Sequence, residues 1–199
     1  MSEPAAAAPP RSWLPAEFFL TARRWGVRFT EHVLRISVRR QRLWHLVPLN
    51  SLGATHPSRL FPDYVPLEKP YLCSTSRFGI GQVKGSNRTP LGLHRIAEKI
   101  GGGWPVGTVF KSRRAVGFTW KGLPQATITT RILWLAGLEP GLNRRGTVDS
   151  HARYIYIHGT GDEPSLGRPA SCGCIHLAAR DLVPLFDRLP CGTLVWIEP

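Results

Sequence analysis

Tyr154-Ile155-Tyr156-Ile157-His158-Gly159-Thr160-Gly161 and, after a loop, Ser171-Cys172-Gly173-Cys174-Ile175-His176-Leu177 decide the fold. Ile155 and Ile157 alternate with Tyr154, Tyr156 and His158, the period of a half-buried strand. The predicted strand, 154–157, delivers His158 at its end, ahead of the Gly159-Thr160-Gly161 turn. Asp162 to Pro169 is rich in Gly and Pro and reads as a loop. A helix is predicted over 180–189, with Leu182, Leu185, Phe186 and Leu189 as its apolar stripe. Pro190 and Gly192 end it, and Pro184 fits only near its first turn.

Three kinds of chemistry suit this cluster. Cys174 follows a glycine and stands close to the predicted helix N-terminus. A helix N-terminus or a nearby imidazole lowers a thiol pKa, and the thiolate is the nucleophile. His158 is then the natural base for acyl transfer. Backbone N–H groups at a glycine turn can hold an oxyanion. The same thiols could instead be structural. By count, His158, Cys172, Cys174 and His176 also make a Cys₂His₂ set. Its C-x-C spacing is tighter than a usual zinc knuckle, which argues against metal.

Outward from this stretch the signals are mostly β. Segments 106–110, 126–129, 131–135 and 193–197 read as strands. Val33, Ile36 and Val38, with Leu43 and Trp44, suggest an Arg-rich hairpin. Trp13 to Phe29 reads as an amphipathic helix with Phe18, Ala22, Trp25 and Phe29 on one face, docked on the domain or laid on an anionic membrane. Pro4 to Pro10 is an Ala/Pro-rich tail expected to be disordered. Asn50 to Pro70, with Pro57, Pro62, Pro66 and Pro70, reads as a long surface loop, and such loops often cover a site. The expected class is mostly β (α+β) with one or two short helices. The expected organisation is a tail and helix over 1–31 and a β domain over 32–199, interrupted by the proline-rich stretch at about 48–70.

Composition narrows the partners. The 199 residues suffice to bury a full core without staples. The 20 Gly and 18 Pro favour a turn-rich β protein over a helix bundle. A net charge of +13 suits a polyanion, an anionic wall polymer or a membrane face. No RNP, KH or helix-turn-helix pattern supports a nucleic-acid module, so no nucleic acid is expected. No run of apolar residues is long enough to span a membrane, and no secretory signal is recognisable.

Ile157-His158-Gly159-Thr160 with Ser171-Cys172-Gly173-Cys174-Ile175-His176-Leu177 closely resembles the signature of the L,D-transpeptidase (YkuD-type) family, H-G-T, a loop, then S-H-G-C-[IV]-R-[LM]. Cys174 follows His158 by 16 residues, which suits that family. The resemblance extends to Ser74-Thr75-Ser76 with Thr89-Pro90-Leu91-Gly92, to Leu133–Asn143 and to Gly192–Ile197. It implies a mostly β, mixed-sheet, sandwich-like catalytic domain over 32–199 that encloses the site, with 48–70 as an atypical insertion. It also implies Cys174 as nucleophile and His158 as general base and acid. Ser171 and Gly173 shape the nucleophile turn, Gly173 and Cys174 N–H groups hold the oxyanion, and Gly159 and Thr160 position the histidine. His176 and Trp134 are candidate substrate contacts. Cys172 stands where the motif has His, and His176 where it has Arg. A histidine there is shorter and largely neutral at pH 7, so substrate preference and pH dependence are expected to differ.

The resemblance further implies peptidoglycan stem peptides as substrate, with a 3→3 cross-link or a protein–wall link as product. Hydrolysis at the same site is the alternative. It implies no metal and no cofactor, an envelope or periplasmic location, and leaves a wall-anchored protein acceptor and peripheral membrane contact open. His32, His45, His56, His94 and His151 have no motif partner and are expected to be surface or packing residues. Cys73 and Cys191 are expected to pack as small apolar groups, with a bridge between them the minor option.

Overall fold

The computed structural model describes residues 12–53 and 61–199. The Pro4–Pro10 tail, His56 and Pro57 lie outside the described residues. The strands are β1 (Val33–Ser37), β2 (Arg42–Pro48), β3 (Tyr64–Pro66), β4 (Tyr71–Ser74), β5 (Gly92–Ile100) and β6 (Thr108–Lys111). They continue with β7 (Arg114–Phe118), β8 (Thr129–Gly137), β9 (Tyr156–Gly159), β10 (Ile175–Leu177) and β11 (Leu194–Glu198). Two helices, α1 (Ala16–Arg24) and α2 (Ala179–Arg188), complete the set.

All strands join one mixed 11-stranded sheet, ordered β5-β11-β1-β2-β4-β10-β9-β8-β6-β7, with β3 on β2. An additional β5–β8 pairing closes the sheet on itself. β1–β11 and β9–β10 are parallel pairs, and the others are antiparallel. The expected mostly β class with few helices is what the chain adopts.

The main core fills the space between the sheet and α2. Leu34, Ile36, Leu133, Ile157, Ile175 and Leu182 are among its fully buried members. Burying a side chain of this kind contributes roughly 1.5–3 kcal/mol. A second cluster forms where α1 lies on the sheet, with Phe18, Phe19, Ala22, Val33, Leu46 and Tyr64. The helix is therefore docked, and its ring contacts run from Phe18 to Tyr64 and Trp196. It is shorter than its apolar periodicity suggested, because Gly26 turns the chain at φ +62°. The described part of the 50–70 segment also packs here. β3 pairs with β2, and the Tyr64 carbonyl accepts the Trp13 N–H at 2.9 Å. It thus supports α1, rather than covering Cys174 as a long loop might.

Several predicted elements shift for physical reasons. Tyr154 has φ 58°, so the strand expected at 154–157 begins at Tyr156, and His158 lies inside it. Gly107 turns at φ +82°, which delays β6 to Thr108. Residues 126–128 form no strand; the Ala126 carbonyl instead accepts the Gly161 N–H at 2.8 Å. Pro184 sits in the middle of α2, not in its first turn. Its side of the helix is exposed, so the carbonyl it leaves unpaired faces water, while Leu182, Leu185 and Phe186 hold the helix down.

Candidate active site

β9 and β10 run parallel as neighbours, with His158 opposite His176 and Ile157 opposite Ile175. Alternation puts the isoleucines into the main core and both histidines on the other face. The two imidazoles lie 4.8 Å apart, centre to centre. Cys174, two residues before His176, falls on the same face beside Tyr156. The sheet, rather than a loop, therefore brings His158, Cys174 and His176 together.

The turn before β10 is held by one hydroxyl. Ser171 Oγ donates to the Cys174 carbonyl at 2.6 Å and accepts the Gly173 N–H at 3.2 Å. Gly173 has φ +120°, a conformation that side chains disfavour. Its carbonyl accepts from Thr89 Oγ1 at 3.0 Å, which also accepts the Ser76 N–H. The Ser74–Ser76 and Thr89 segments quoted from the sequence thus brace the Ser171–Cys174 turn.

The Cys174 thiol lies against the backbone of the preceding strand. Its Sγ donates to the Tyr154 carbonyl and accepts the Tyr156 N–H, both at 3.4 Å. Burial pushes its pKa up to about 11, although the Tyr156 N–H and the nearby Arg153 charge act in the opposite direction. The helix N-terminus does not activate it, contrary to the sequence expectation. β10 intervenes, and the Ala179 N–H at the start of α2 is already taken by Glu163 Oε1 at 2.8 Å.

His158 is 1% exposed. Its Nδ1 lies 2.8 Å from the Gly159 carbonyl. A carbonyl only accepts, so Nδ1 carries the proton and the Nε2 lone pair is free to take one. Burial first, and then the neighbouring His176, hold its pKa down to about 3. Gly159 is required by space: a Cβ there would meet the Thr129 carbonyl at 2.8 Å. Thr160 Oγ1 accepts the Asp162 N–H at 3.1 Å and closes the following turn.

His176 is 6% exposed, and its Nδ1 is buried with no hydrogen-bond partner. Burial pulls its pKa down to about 4, with Asp162 acting weakly the other way. The resting site is thus a neutral thiol beside neutral imidazoles, suited to moving a proton during attack rather than to storing a thiolate.

Trp134 is largely buried and forms part of the floor beneath Cys174 and Tyr156. It stacks on His151 at 4.0 Å with the planes 3° apart. Sequence reasoning set His151 aside, and it also passed over Arg113, Arg153, Tyr154 and Tyr156. Arg113 lies over Trp134 at 4.8 Å and Tyr154 at 5.2 Å, and donates to the Tyr156 hydroxyl at 3.4 Å. Ser112 and Arg113, at φ 48° and 66°, form the β6–β7 turn that aims it. Arg153 donates to the carbonyls of Arg88 at 2.7 Å and Gly81 at 3.2 Å, tying that loop to the site. The Tyr-Ile-Tyr-Ile-His alternation was the one available signal for the two tyrosines.

All four cysteines are free. Cys172 and Cys191 are exposed, whereas Cys73 is buried in the core and its pKa is pushed up to about 12 by burial. Among the described residues, no three His, Cys, Asp or Glu side chains are grouped to hold a metal ion. No helix among them is long and apolar enough to cross a membrane.

Comparison with known proteins assigns the fold a family. No curated protein matches the chain. Solved structures that resemble it include L,D-transpeptidase 3 from Mycobacterium tuberculosis, at 13% identity and TM-score 0.49, covering 85% of this chain and 61% of that one. An L,D-transpeptidase from Mycobacterium smegmatis gives 15% identity and TM-score 0.48, over 85% of this chain and 59% of that one. One from Xylanimonas cellulosilytica gives 17% and 0.43, over 90% and 68%. The chain spans about 60% of the length of the first two. Residues 31–197 match the family model of the YkuD L,D-transpeptidase catalytic domain, and the chain belongs to that family.

Proposed function

We propose that this chain is a cysteine-dependent L,D-transpeptidase acting on peptidoglycan stem peptides. The observation that carries the reading is the His158 tautomer: Nδ1 is held on the Gly159 carbonyl at 2.8 Å, leaving Nε2 as a base on the face shared with Cys174. In this reaction Nε2 takes the Cys174 proton as sulfur attacks the carbonyl of the third stem residue. The Cys174 N–H is the available oxyanion donor, since the Gly173 N–H is engaged by Ser171. The imidazolium returns its proton to the departing D-Ala amine, and a thioester remains. An acceptor amine then attacks the thioester, gives its proton to His158 and restores the thiol. The product is a 3→3 cross-link or a link to a wall-anchored protein. With water as acceptor the same steps give an L,D-carboxypeptidase.

The positive surface, +13 overall, supports residence on an anionic wall or membrane face. A direct experiment is incubation with disaccharide tetrapeptide, followed by mass spectrometry. D-Ala release and a covalent adduct on Cys174 are expected, and both vanish in Cys174→Ala. An active Cys174→Ala variant rejects the reading. Cross-linked dimer against free tripeptide separates transfer from hydrolysis.

A further inference from the structure

A cavity of about 230 Å³ opens beside His176, with Ala170 at the start of the nucleophile turn on its wall. Gln125, Thr127 and Asp162 form its exposed mouth. Thr160, Ser165 and His176 form its buried floor. No lysine or arginine lines it, although the chain carries +13 overall. The Asp162 backbone is engaged, its N–H by Thr160 Oγ1 and its carbonyl by Ser165 Oγ. Its carboxylate makes no hydrogen bond or ion pair with the described residues. Thr160 and Thr127 add hydroxyls, and Gln125 adds an amide carbonyl.

A negatively charged, acceptor-rich hollow in a strongly basic protein selects a cation with several N–H groups. We propose that this cavity binds a primary alkylammonium group, with the Asp162 carboxylate as counter-ion and the Thr127 and Thr160 hydroxyls and the Gln125 carbonyl completing its hydrogen bonds. The biological meaning rests on the function proposed above, because diamino acid stem peptides carry such a group. It occurs on both the donor's third residue and the acceptor strand. The His158 and His176 rings are 4.8 Å apart, so an amine held here lies one side chain from the base.

Binding is tested without turnover. The full chain carrying Cys174→Ala is titrated with Nα-acetyl-lysine methylamide, and amide chemical shifts are followed at Thr160, Asp162 and Ser165. Saturable shifts are expected with this amine and not with its Nε-acetylated twin. Asp162→Asn, at the exposed mouth, should weaken the binding about threefold to fivefold, the size of a partly exposed ion pair. Equal shifts from both probes, or indifference to Asp162→Asn, overturns the proposal. A wild-type protein that binds the amine but forms no thioester would instead reject only the transpeptidase reading. Two kinetic arms then identify the source. Slower aminolysis of preformed thioester in Asp162→Asn assigns the cavity to the acceptor. Faster thioester formation from amine-bearing than from amine-acetylated tetrapeptide in the wild type, with the difference lost in Asp162→Asn, assigns it to the donor. Absence of both effects overturns a role for the cavity in substrate binding.

Discussion

Ser171 Oγ donates to the Cys174 carbonyl at 2.6 Å, closing a tight loop across Cys172 and Gly173. The same oxygen accepts the Gly173 N–H, so one side chain sets the orientation of the peptide units flanking the thiol. Ser171→Ala leaves both backbone groups without this partner in a site where the serine is 2% exposed. A stability loss of about 1–2 kcal/mol is expected from denaturant unfolding. Thioester formation should slow by about tenfold to a hundredfold, since a misplaced reacting atom is costly. Unchanged acylation would separate the turn from the chemistry.

Cys174 should be slow to alkylate at neutral pH. Its pKa is pushed up to about 11, chiefly by burial, so only a small thiolate fraction exists at pH 7. Iodoacetamide labelling of its peptide, followed by mass spectrometry, should rise about tenfold per pH unit through the alkaline range. Exposed Cys172 and Cys191 provide internal references in the same digest. Fast, pH-independent labelling of Cys174 near neutrality would indicate a resting thiolate–imidazolium pair instead.

Acid should unfold the chain in a specific window. Burial holds the pKa of His94 down to about 4, of His158 to about 3 and of His176 to about 4. The unfolded chain protonates histidine near pH 6.5, so below that pH it binds more protons than the folded chain. Stability is therefore complete above about pH 6.5 and falls as the pH drops toward 4. Each histidine contributes up to about 1.4 kcal/mol per pH unit within its window. Urea midpoints measured from pH 7 to pH 5 should fall, and a flat profile would contradict the burial of neutral imidazoles.

Gly159→Ala tests whether His158, the proposed base, is oriented by its own backbone. The added methyl would meet the Thr129 carbonyl at 2.8 Å, so β9 must shift against β8. A destabilisation of about 1–3 kcal/mol is expected. The Gly159 carbonyl that holds His158 moves with it. A larger effect on kcat than on KM is expected, because the proposed proton acceptor is misaligned while Arg113, Trp134 and Tyr154 stay in place.

Arg113→Ala should change substrate handling rather than folding. The guanidinium is at the surface, over Trp134 and Tyr154, on a turn with two left-handed residues. KM for an anionic stem peptide should rise, with Tm unchanged. A fall in Tm comparable to that of Gly159→Ala would make Arg113 a structural residue.

Much of this architecture could be read from residue order alone, because the relevant signals are local. Tyr-Ile-Tyr-Ile-His announces a strand by alternation, and the spacing from His158 to Cys174 leaves room for a crossover between parallel neighbours. What could not be read depends on contacts distant in sequence. Nothing near Arg113 shows that it reaches rings at 134 and 154. His151 carries no motif, and its stacking on Trp134 follows from β8 pairing with β9. The thiol pKa was misjudged for a similar reason. The helix lay close in sequence, but burial against Tyr154 and Tyr156 sets the outcome.

The position of β11 bears on how the chain reaches this state. It lies between β1 and β5, paired in parallel with one and antiparallel with the other. A segment that follows both partners in the chain must therefore insert between two that emerged much earlier. Until Leu194–Glu198 arrives, both partners present open edges, and α1 has an incomplete platform because Leu194 belongs to its cluster. Folding should consequently be slow, non-local and completed only after synthesis of these residues, with the ring closing as a late cooperative event.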